Sequence, residues 1–231
     1  MAPTHDPIFL SYDMAEAASA PEPVVLVLDL DSPSLPDLAA LKPTEADVAR
    51  AATYGTVGRE RFLARRGVLR HFLAARFHGE ASDVVVGSQP SGEPTLIAPA
   101  QSSTPFLSIA GRGAFAAFAL AARPIGVDLE ILGPPEEIPE AVLHKAERKN
   151  LAGLDASARH EAFVKIWTLK EAYVKALGVG LAREPSEIEV RFDAVGGIEL
   201  VDRGAHVPAS ALRCEVERRG HDALIISCVL L

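Results

Sequence analysis

The stretch FVKIWTLKEAYVKALGVGL, from Phe163 to Leu181, predicts a helix followed by a glycine-rich turn. Apolar residues recur at three- and four-residue spacing over the first part, as on one side of a helix. Trp167, Glu171 and Lys175 are four residues apart, so they share a helix face. The turn formed by Gly178-Val-Gly180 is expected to end the helix.

Two interpretations of this helix face remain open from the residues alone. One is an ordinary surface helix in which Glu171 and Lys175 form an ion pair that contributes about 0.2–0.5 kcal/mol. The other is a functional site, in which Glu171 completes a metal site while Lys170 and Lys175 neutralise a diphosphate from two sides. The only tryptophan of the chain, Trp167, lies one turn before Glu171.

A second chemical feature lies earlier, in PIGVDLE from Pro124 to Glu130. On a strand, Asp128 and Glu130 project to the same side, about 6–7 Å apart. Magnesium commonly binds one or two protein carboxylates and takes its other ligands from water and substrate phosphates. A half-exposed edge strand with a polar outer face explains the same pattern without any metal.

The surrounding pattern predicts an α+β fold built from two similar halves. We expect the halves to comprise residues 1–123 and 124–231, with no sequence repeat between them. Thr44 begins TEAD, which has the form of a capping box and predicts a helix start. The predicted strands are Val24–Leu30, several within 84–131, Ile188–Phe192, Ile198–Val201, Leu212–Glu217 and Ala223–Leu230; the predicted helices are Arg59–Phe77, Glu140–Gly153 and Ala158–Leu177.

Composition narrows the classes of protein that this chain can represent. Its 231 residues carry 23 Lys and Arg against 31 Asp and Glu, a net charge of −8, which argues against a nucleic-acid-binding protein. No run approaches the roughly 20 apolar residues of a membrane span. The first residues do not resemble a signal peptide, and Cys214 and Cys228 are interpreted as reduced thiols. We therefore predict a cytoplasmic protein that acts on neither nucleic acid nor membrane.

Together, the two features resemble the 4'-phosphopantetheinyl transferase superfamily, and in particular its larger, pseudodimeric, surfactin-synthetase-activating class. The family's Gly-x-Asp-x-Glu corresponds to Gly126–Glu130. Its Trp-x-x-Lys-Glu-Ala-x-x-Lys-x-x-Gly-x-Gly-Leu corresponds to Trp167–Leu181 without a break. The resemblance extends over most of the chain from about Arg59 onward. It implies two similar α/β subdomains packed as a pseudodimer, with the active site at their interface.

The resemblance also implies a reaction and its residues. The reaction is magnesium-dependent transfer of 4'-phosphopantetheine from coenzyme A to a serine of an apo acyl or peptidyl carrier protein, with release of 3',5'-ADP. The setting would be polyketide or nonribosomal peptide biosynthesis, with the enzyme a monomer. The implied metal ligands are Asp128, Glu130 and Glu171, the implied catalytic residues are Glu171 and Lys175, and the implied coenzyme A contacts are Arg66, Arg112, Lys170 and Lys175.

Two positions depart from the family pattern. The family's Gly-Lys-Pro is Gly92-Glu-Pro94 here, and the histidine that contacts the nucleotide 3'-phosphate is replaced by Gly111. Arg112 is the predicted substitute for that histidine, because a guanidinium also binds phosphate; the alternative is a hairpin turn with an exposed arginine. The alternative function is a diverged homologue that binds a carrier protein, or acts on another acyl thioester, without phosphopantetheinyl transfer.

The helix predicted at Arg59–Phe77 carries several arginines besides Arg66. We interpret them as a solvated helix face rather than as ligand contacts. They are Arg59, Arg61, Arg65 and Arg70.

Overall fold

The computed structural model describes residues 8–35, 43–89, 92–101, 103–179, 182–193 and 195–231. Their contacts divide the chain into two compact units, one formed by Phe9–Ala122 and the other by Arg123–Leu231 with Ile8. The division follows Ala122, next to the predicted boundary. Each unit packs helices against β-sheet, so the predicted α+β class is confirmed. The predicted site at the interface of the halves stays a prediction.

Six strands of the described residues form the sheet of the first unit. They are β1 (Phe9–Ser11), β2 (Val24–Asp29), β3 (Val85–Ser88), β4 (Pro94–Ala98), β5 (Phe106–Arg112) and β6 (Phe115–Ala121). Their order is β1-β2-β6-β5-β4-β3, with β1 and β2 parallel and the other neighbours antiparallel. Every residue of β6 is buried, which explains its uninterrupted apolar sequence FAAFALA.

The helices described in this unit are α1 (Met14–Ser19), α2 (Glu45–Ala51) and α3 (Thr56–Arg76). The start of α2 confirms the cap predicted at Thr44, whose Oγ1 accepts a hydrogen bond of 3.1 Å from the backbone N–H of Asp47. Helix α3 lies against the sheet through its apolar stripe. The fully buried members of this stripe are Val68, Leu69, Phe72 and Leu73.

The arginines of α3 do not form a uniformly solvated face. Arg70 is only 6% exposed, and its Nη1 lies 2.6 Å from Oδ2 of Asp47. Arg66 binds the other oxygen of the same carboxylate, with Nε 2.7 Å from Oδ1. The prediction of a solvated face is therefore wrong for Arg70, because one buried carboxylate of α2 holds two guanidinium groups of α3.

The second unit contains two three-stranded antiparallel sheets among its described residues. Their strands are β7 (Ile125–Ile131), β8 (Ile188–Phe192), β9 (Ile198–Asp202), β10 (Ala205–Val207), β11 (Leu212–Arg219) and β12 (Asp222–Leu230), in the orders β11-β12-β7 and β10-β9-β8. The strands predicted after residue 188 are confirmed. The sequence did not indicate β10, because its three residues are partly or fully exposed and lack an apolar pattern.

The α-helices among the described residues of this unit are α4 (Lys145–Leu151) and α5 (Ala156–Leu177). Helix α4 is shorter than predicted, because His144 adopts an extended backbone and caps it through Ala146 N–H and the side chain of Glu147. Helix α5 agrees with the prediction and ends at Gly178, which takes a left-handed conformation with φ 69°. Within the ranges described, no helix is long and apolar enough to cross a membrane.

Candidate active site

Helix α5 carries the predicted catalytic residues, and its two ends are fixed by local sequence. At its start, Oδ1 of Asp155 accepts a hydrogen bond of 2.9 Å from the N–H of Ala158. Its buried stripe, which includes Leu169, Ala172 and Ala176, packs against β7 and β12. Side chains beside this stripe are thereby held at the edge of the sheet rather than in open solvent.

Gly126 allows strand β7 to lie against this helix. A Cβ atom at Gly126 would lie 1.9 Å from the carbonyl oxygen of Ala172 and 2.6 Å from the backbone nitrogen of Ala176. Any other residue would collide with the helix backbone, which cannot move as a side chain can. The glycine of GVDLE is therefore a packing requirement that brings the carboxylates of β7 alongside α5.

Asp128 and Lys175 meet at this contact. Nζ of Lys175 lies 2.7 Å from Oδ1 of Asp128, and the same ammonium donates to the carbonyl oxygen of Val127 at 3.1 Å. Asp128 is only 8% exposed, whereas Lys175 keeps part of its side chain at the surface. The ammonium thus sits at the opening of the site, where it can reach a bound anion.

Glu171 is the second carboxylate of this group. Burial raises the pKa of Glu171 above its ordinary value, the negative charge of Asp128 raises it further, and Lys175 opposes the shift. Asp128 and Glu171 therefore interact across the β7–α5 contact. These two carboxylates and one ammonium carry a net negative charge, so an additional cation would be favourable here.

The carboxylates of Asp128, Glu130 and Glu171 are donors that suit magnesium, but they do not form a preformed metal-binding cluster. No three His, Cys, Asp or Glu side chains in the described part of the chain are arranged as a metal-binding group. Glu130 lies two residues beyond Asp128 on β7, so strand alternation gives both the same side. The donors are oxygen atoms only, and magnesium needs no more than one or two protein carboxylates when phosphates and water supply the rest.

Lys170 lies in the protein interior and is already engaged. Its side chain is 1% exposed, with Nζ 2.7 Å from Oε2 of Glu147 and 3.0 Å from the carbonyl oxygen of Val142. Burial lowers the pKa of Lys170, and the hydrogen bond and charge of Glu147 oppose that shift. Oε1 of Glu147 also accepts a hydrogen bond from the N–H of Val190, so the Lys170–Glu147 pair connects α4, α5 and β8. We therefore assign Lys170 a structural contact instead of a phosphate contact.

The predicted coenzyme A contacts of the first unit, Arg66 and Arg112, lie in different surroundings. Arg66 lines a cavity of about 240 Å³ on this unit and donates to the carbonyl oxygen of Val86 at 2.6 Å. Arg112 is exposed at the end of β5, one residue after Gly111, so it projects to the opposite side of the strand. The space beside Gly111 is occupied by the side chain of Arg65.

Comparison with known proteins identifies the family. The 4'-phosphopantetheinyl transferase HetI of Nostoc sp. is 33% identical over 168 residues, which are 71% of this chain and 70% of HetI. The chain belongs to the 4'-phosphopantetheinyl transferase superfamily. The family model for this superfamily matches residues 124–228, which include both motifs of the transferase. Its relatives place it in the larger, Sfp-like class of these enzymes.

Two further similar proteins are a transferase of Bacillus subtilis and a synthase of known structure. Sfp of Bacillus subtilis is 26% identical to the transferase over 152 residues, covering 65% of this chain and 66% of Sfp. Among solved structures, a holo-(acyl-carrier-protein) synthase from Bacillus anthracis, in complex with coenzyme A, is 26% identical. The alignment covers 46% of this chain and 95% of the synthase chain, with a TM-score of 0.37.

The structure brings together three of the predicted site residues of the transferase: Asp128, Glu171 and Lys175. Their roles in metal binding and transfer stay predictions. Gly180 and Leu181, at the end of the second motif, lie outside the described residues. The sequence pattern did not single out Arg65 as a ligand contact. The signal that could have done so is Gly111, because a glycine leaves space that a side chain of the arginine-rich helix α3 can fill.

Proposed function

We propose that this transferase moves 4'-phosphopantetheine from coenzyme A to a serine hydroxyl of an apo acyl or peptidyl carrier protein, acting as a monomer in the cytoplasm. Magnesium would be held by Asp128, Glu130 and Glu171. When bound, the ion would neutralise the negative charge of the coenzyme A pyrophosphate. The names of the relatives support the transfer itself.

The observation that carries this proposal is the arrangement of Asp128, Lys175 and Glu171 at the β7–α5 contact. The Asp128–Lys175 pair is only partly buried, and Glu171 is pushed towards its protonated form by burial and by Asp128. A site of this kind can receive both a metal and an anion. The pyrophosphate of coenzyme A, accompanied by magnesium, supplies both.

The chain's own residues have two tasks in the transfer. The serine oxygen forms a bond to the phosphorus that carries the pantetheine arm, and the bond from that phosphorus to the bridging oxygen breaks, so that 3',5'-ADP leaves. Glu171 accepts the hydroxyl proton, directly or through a water molecule. Lys175 donates to the pyrophosphate and stabilises the charge that develops on the departing oxygen.

A two-product assay tests the proposal. The protein is incubated with coenzyme A, magnesium and an apo carrier protein, and the carrier is weighed by intact mass spectrometry while 3',5'-ADP is quantified by chromatography. We expect a phosphopantetheine adduct and an equal amount of 3',5'-ADP. A carrier whose acceptor serine is replaced by alanine should gain no mass.

The same assay separates the alternative function. A diverged homologue that only binds a carrier protein would yield neither product, although the carrier would still co-elute with it in gel filtration. Absence of both products with several carrier proteins would contradict the proposed transfer. Hydrolysis of another acyl thioester without an adduct would favour the alternative.

A further inference from the structure

The cavity of the first unit has three arginines among its lining residues. Its volume is about 240 Å³, and its walls come from α2, α3, the β3–β4 turn and β5. No aspartate or glutamate is among the described residues that line it. The lining residues include Arg50, Arg65, Arg66, Ser88, Gly92 and Gly111. A concave surface with three guanidinium groups is suited to an anion.

Arg65 differs from Arg61, Arg66 and Arg70 of α3 because no protein anion pairs with it. Arg66 and Arg70 share Asp47, and Arg61 pairs with Asp31 at the surface. Arg65 forms no hydrogen bond or ion pair with any residue that the structure describes. Burial lowers the pKa of the Arg65 guanidinium, and nearby Arg61 lowers it further, with Tyr54 opposing. A partly buried cation of this kind is stabilised when an anion binds beside it.

Gly111 makes the position of Arg65 available. A Cβ atom on Gly111 would lie 2.6 Å from Cδ and 2.7 Å from Nη1 of Arg65. The guanidinium therefore lies across the bare backbone of β5, in space that any larger residue would occupy. Gly111 leaves this position of the strand without a side chain, and the longer, permanently charged side chain of Arg65 on the helix fills the space.

We propose that Arg65, lying over Gly111, is the residue that makes this cavity select a phosphate monoester. The inference rests on the proposed function, in which the only monoester of the donor is the 3'-phosphate of coenzyme A. A phosphate monoester carries close to two negative charges at neutral pH and accepts bidentate hydrogen bonds from a guanidinium. Of the three cavity arginines Arg50, Arg65 and Arg66, Asp47 pairs only with Arg66, so the cavity keeps a positive excess that matches a dianion.

Nucleotide binding tests this without any transfer. Isothermal titration calorimetry on this chain compares coenzyme A with 3'-dephospho-coenzyme A, which keeps the pyrophosphate but has no phosphate monoester. The wild type should bind coenzyme A at least about tenfold more tightly, and Arg65→Met should remove most of that preference. Arg61→Met, one turn earlier on the same helix, is the matched control and should keep it.

A second variant tests whether Gly111 is needed for the position of Arg65. Gly111→Ala should push the flexible end of Arg65 away and reduce the preference for coenzyme A, while the midpoint of urea unfolding changes little. A preference that survives in both Arg65→Met and Gly111→Ala would overturn the proposal, as would a wild type that binds neither nucleotide or both equally. Carrier-protein modification is measured separately on the same variants, so failure of transfer and failure of this inference give different results.

Discussion

Gly126 of β7 lies so close to Ala172 of α5 that a methyl group on the glycine would come within 1.9 Å of the alanine carbonyl oxygen. This contact sets the spacing between the strand that carries Asp128 and the helix that carries Glu171 and Lys175. The two sequence motifs of the family are therefore parts of one packing unit. The glycine of the first motif is needed for the second motif to meet the carboxylates.

Gly126→Ala should destabilise the second unit and abolish transfer, because the backbone of α5 must move to admit the methyl group. We expect a loss of about 1–3 kcal/mol or more in the free energy of unfolding, measured by urea denaturation. Gly133→Ala is the matched control, since a Cβ there has no atom within 4 Å, and its stability should stay within about 0.5 kcal/mol. Equal stability of the two variants would contradict the packing role.

Lys170→Met should reduce stability and leave the apparent KM for coenzyme A unchanged. The substitution leaves the carboxylate of Glu147 buried without its cation, which typically costs about 3–5 kcal/mol. The measurements are urea unfolding and initial transfer rates at a temperature where the variant is folded. A raised KM with unchanged stability would instead show that Lys170 contacts phosphate.

A double variant separates charge burial from side-chain packing at this pair. Adding Glu147→Gln to Lys170→Met removes the buried negative charge but keeps a carbonyl oxygen for the N–H of Val190. The double variant should therefore be less destabilised than the sum of the two single variants. Strict additivity would mean that the pair makes no coupled contribution.

Asp47 should make the free energy of unfolding depend on pH in the acid range. Burial alone would raise the pKa of Asp47, but the hydrogen bond from Arg66 and the charges of Arg66 and Arg70 outweigh it and hold the pKa below its ordinary value. The stabilisation is fully present above the unfolded pKa of about 3.9 and is lost as pH falls through the lower folded pKa.

The measurement is the free energy of unfolding of wild type and Asp47→Asn between pH 7 and about pH 3. At pH 7 the variant should be less stable by about 1–3 kcal/mol, because two guanidinium groups lose their charged partner. The difference should shrink towards the acid end. A difference that stays constant across this range would show that Asp47 titrates normally.

Lys175→Met should lower kcat/KM for transfer by about a hundredfold or more, since the ammonium is proposed to stabilise the departing 3',5'-ADP. Helix α5 offers a matched control in Lys165, which forms a surface ion pair with Glu161 at 2.6 Å. Lys165→Met removes the same charge from the same helix and should leave kcat/KM within about twofold. Similar losses in both variants would point to helix stability instead of catalysis.

Much of the fold could be predicted from local sequence. Thr44 marked the start of α2, the glycine after Leu177 marked the end of α5, and the apolar runs marked most strands. These features depend on residues that are neighbours in the chain. The proximity of Asp128 to α5 was predicted through the family resemblance, and Gly126 supplies its physical reason.

The remaining features depend on contacts that local patterns do not encode. Lys170 and Lys175 look equivalent in the sequence, yet one is buried against Glu147 and the other reaches Asp128. Their positions on the helix differ by five residues, so they face different neighbours. Arg65 was likewise indistinguishable from the other arginines of α3 until Gly111 was placed beside it.

The initial rate of carrier-protein modification by Glu171→Gln tests the central claim most directly. Glu161→Gln, on the exposed part of the same helix, serves as the matched control, and both variants are compared at equal folded concentration. The account predicts that Glu171→Gln loses at least about a hundredfold in rate while Glu161→Gln retains the wild-type rate. Wild-type transfer by Glu171→Gln would contradict it.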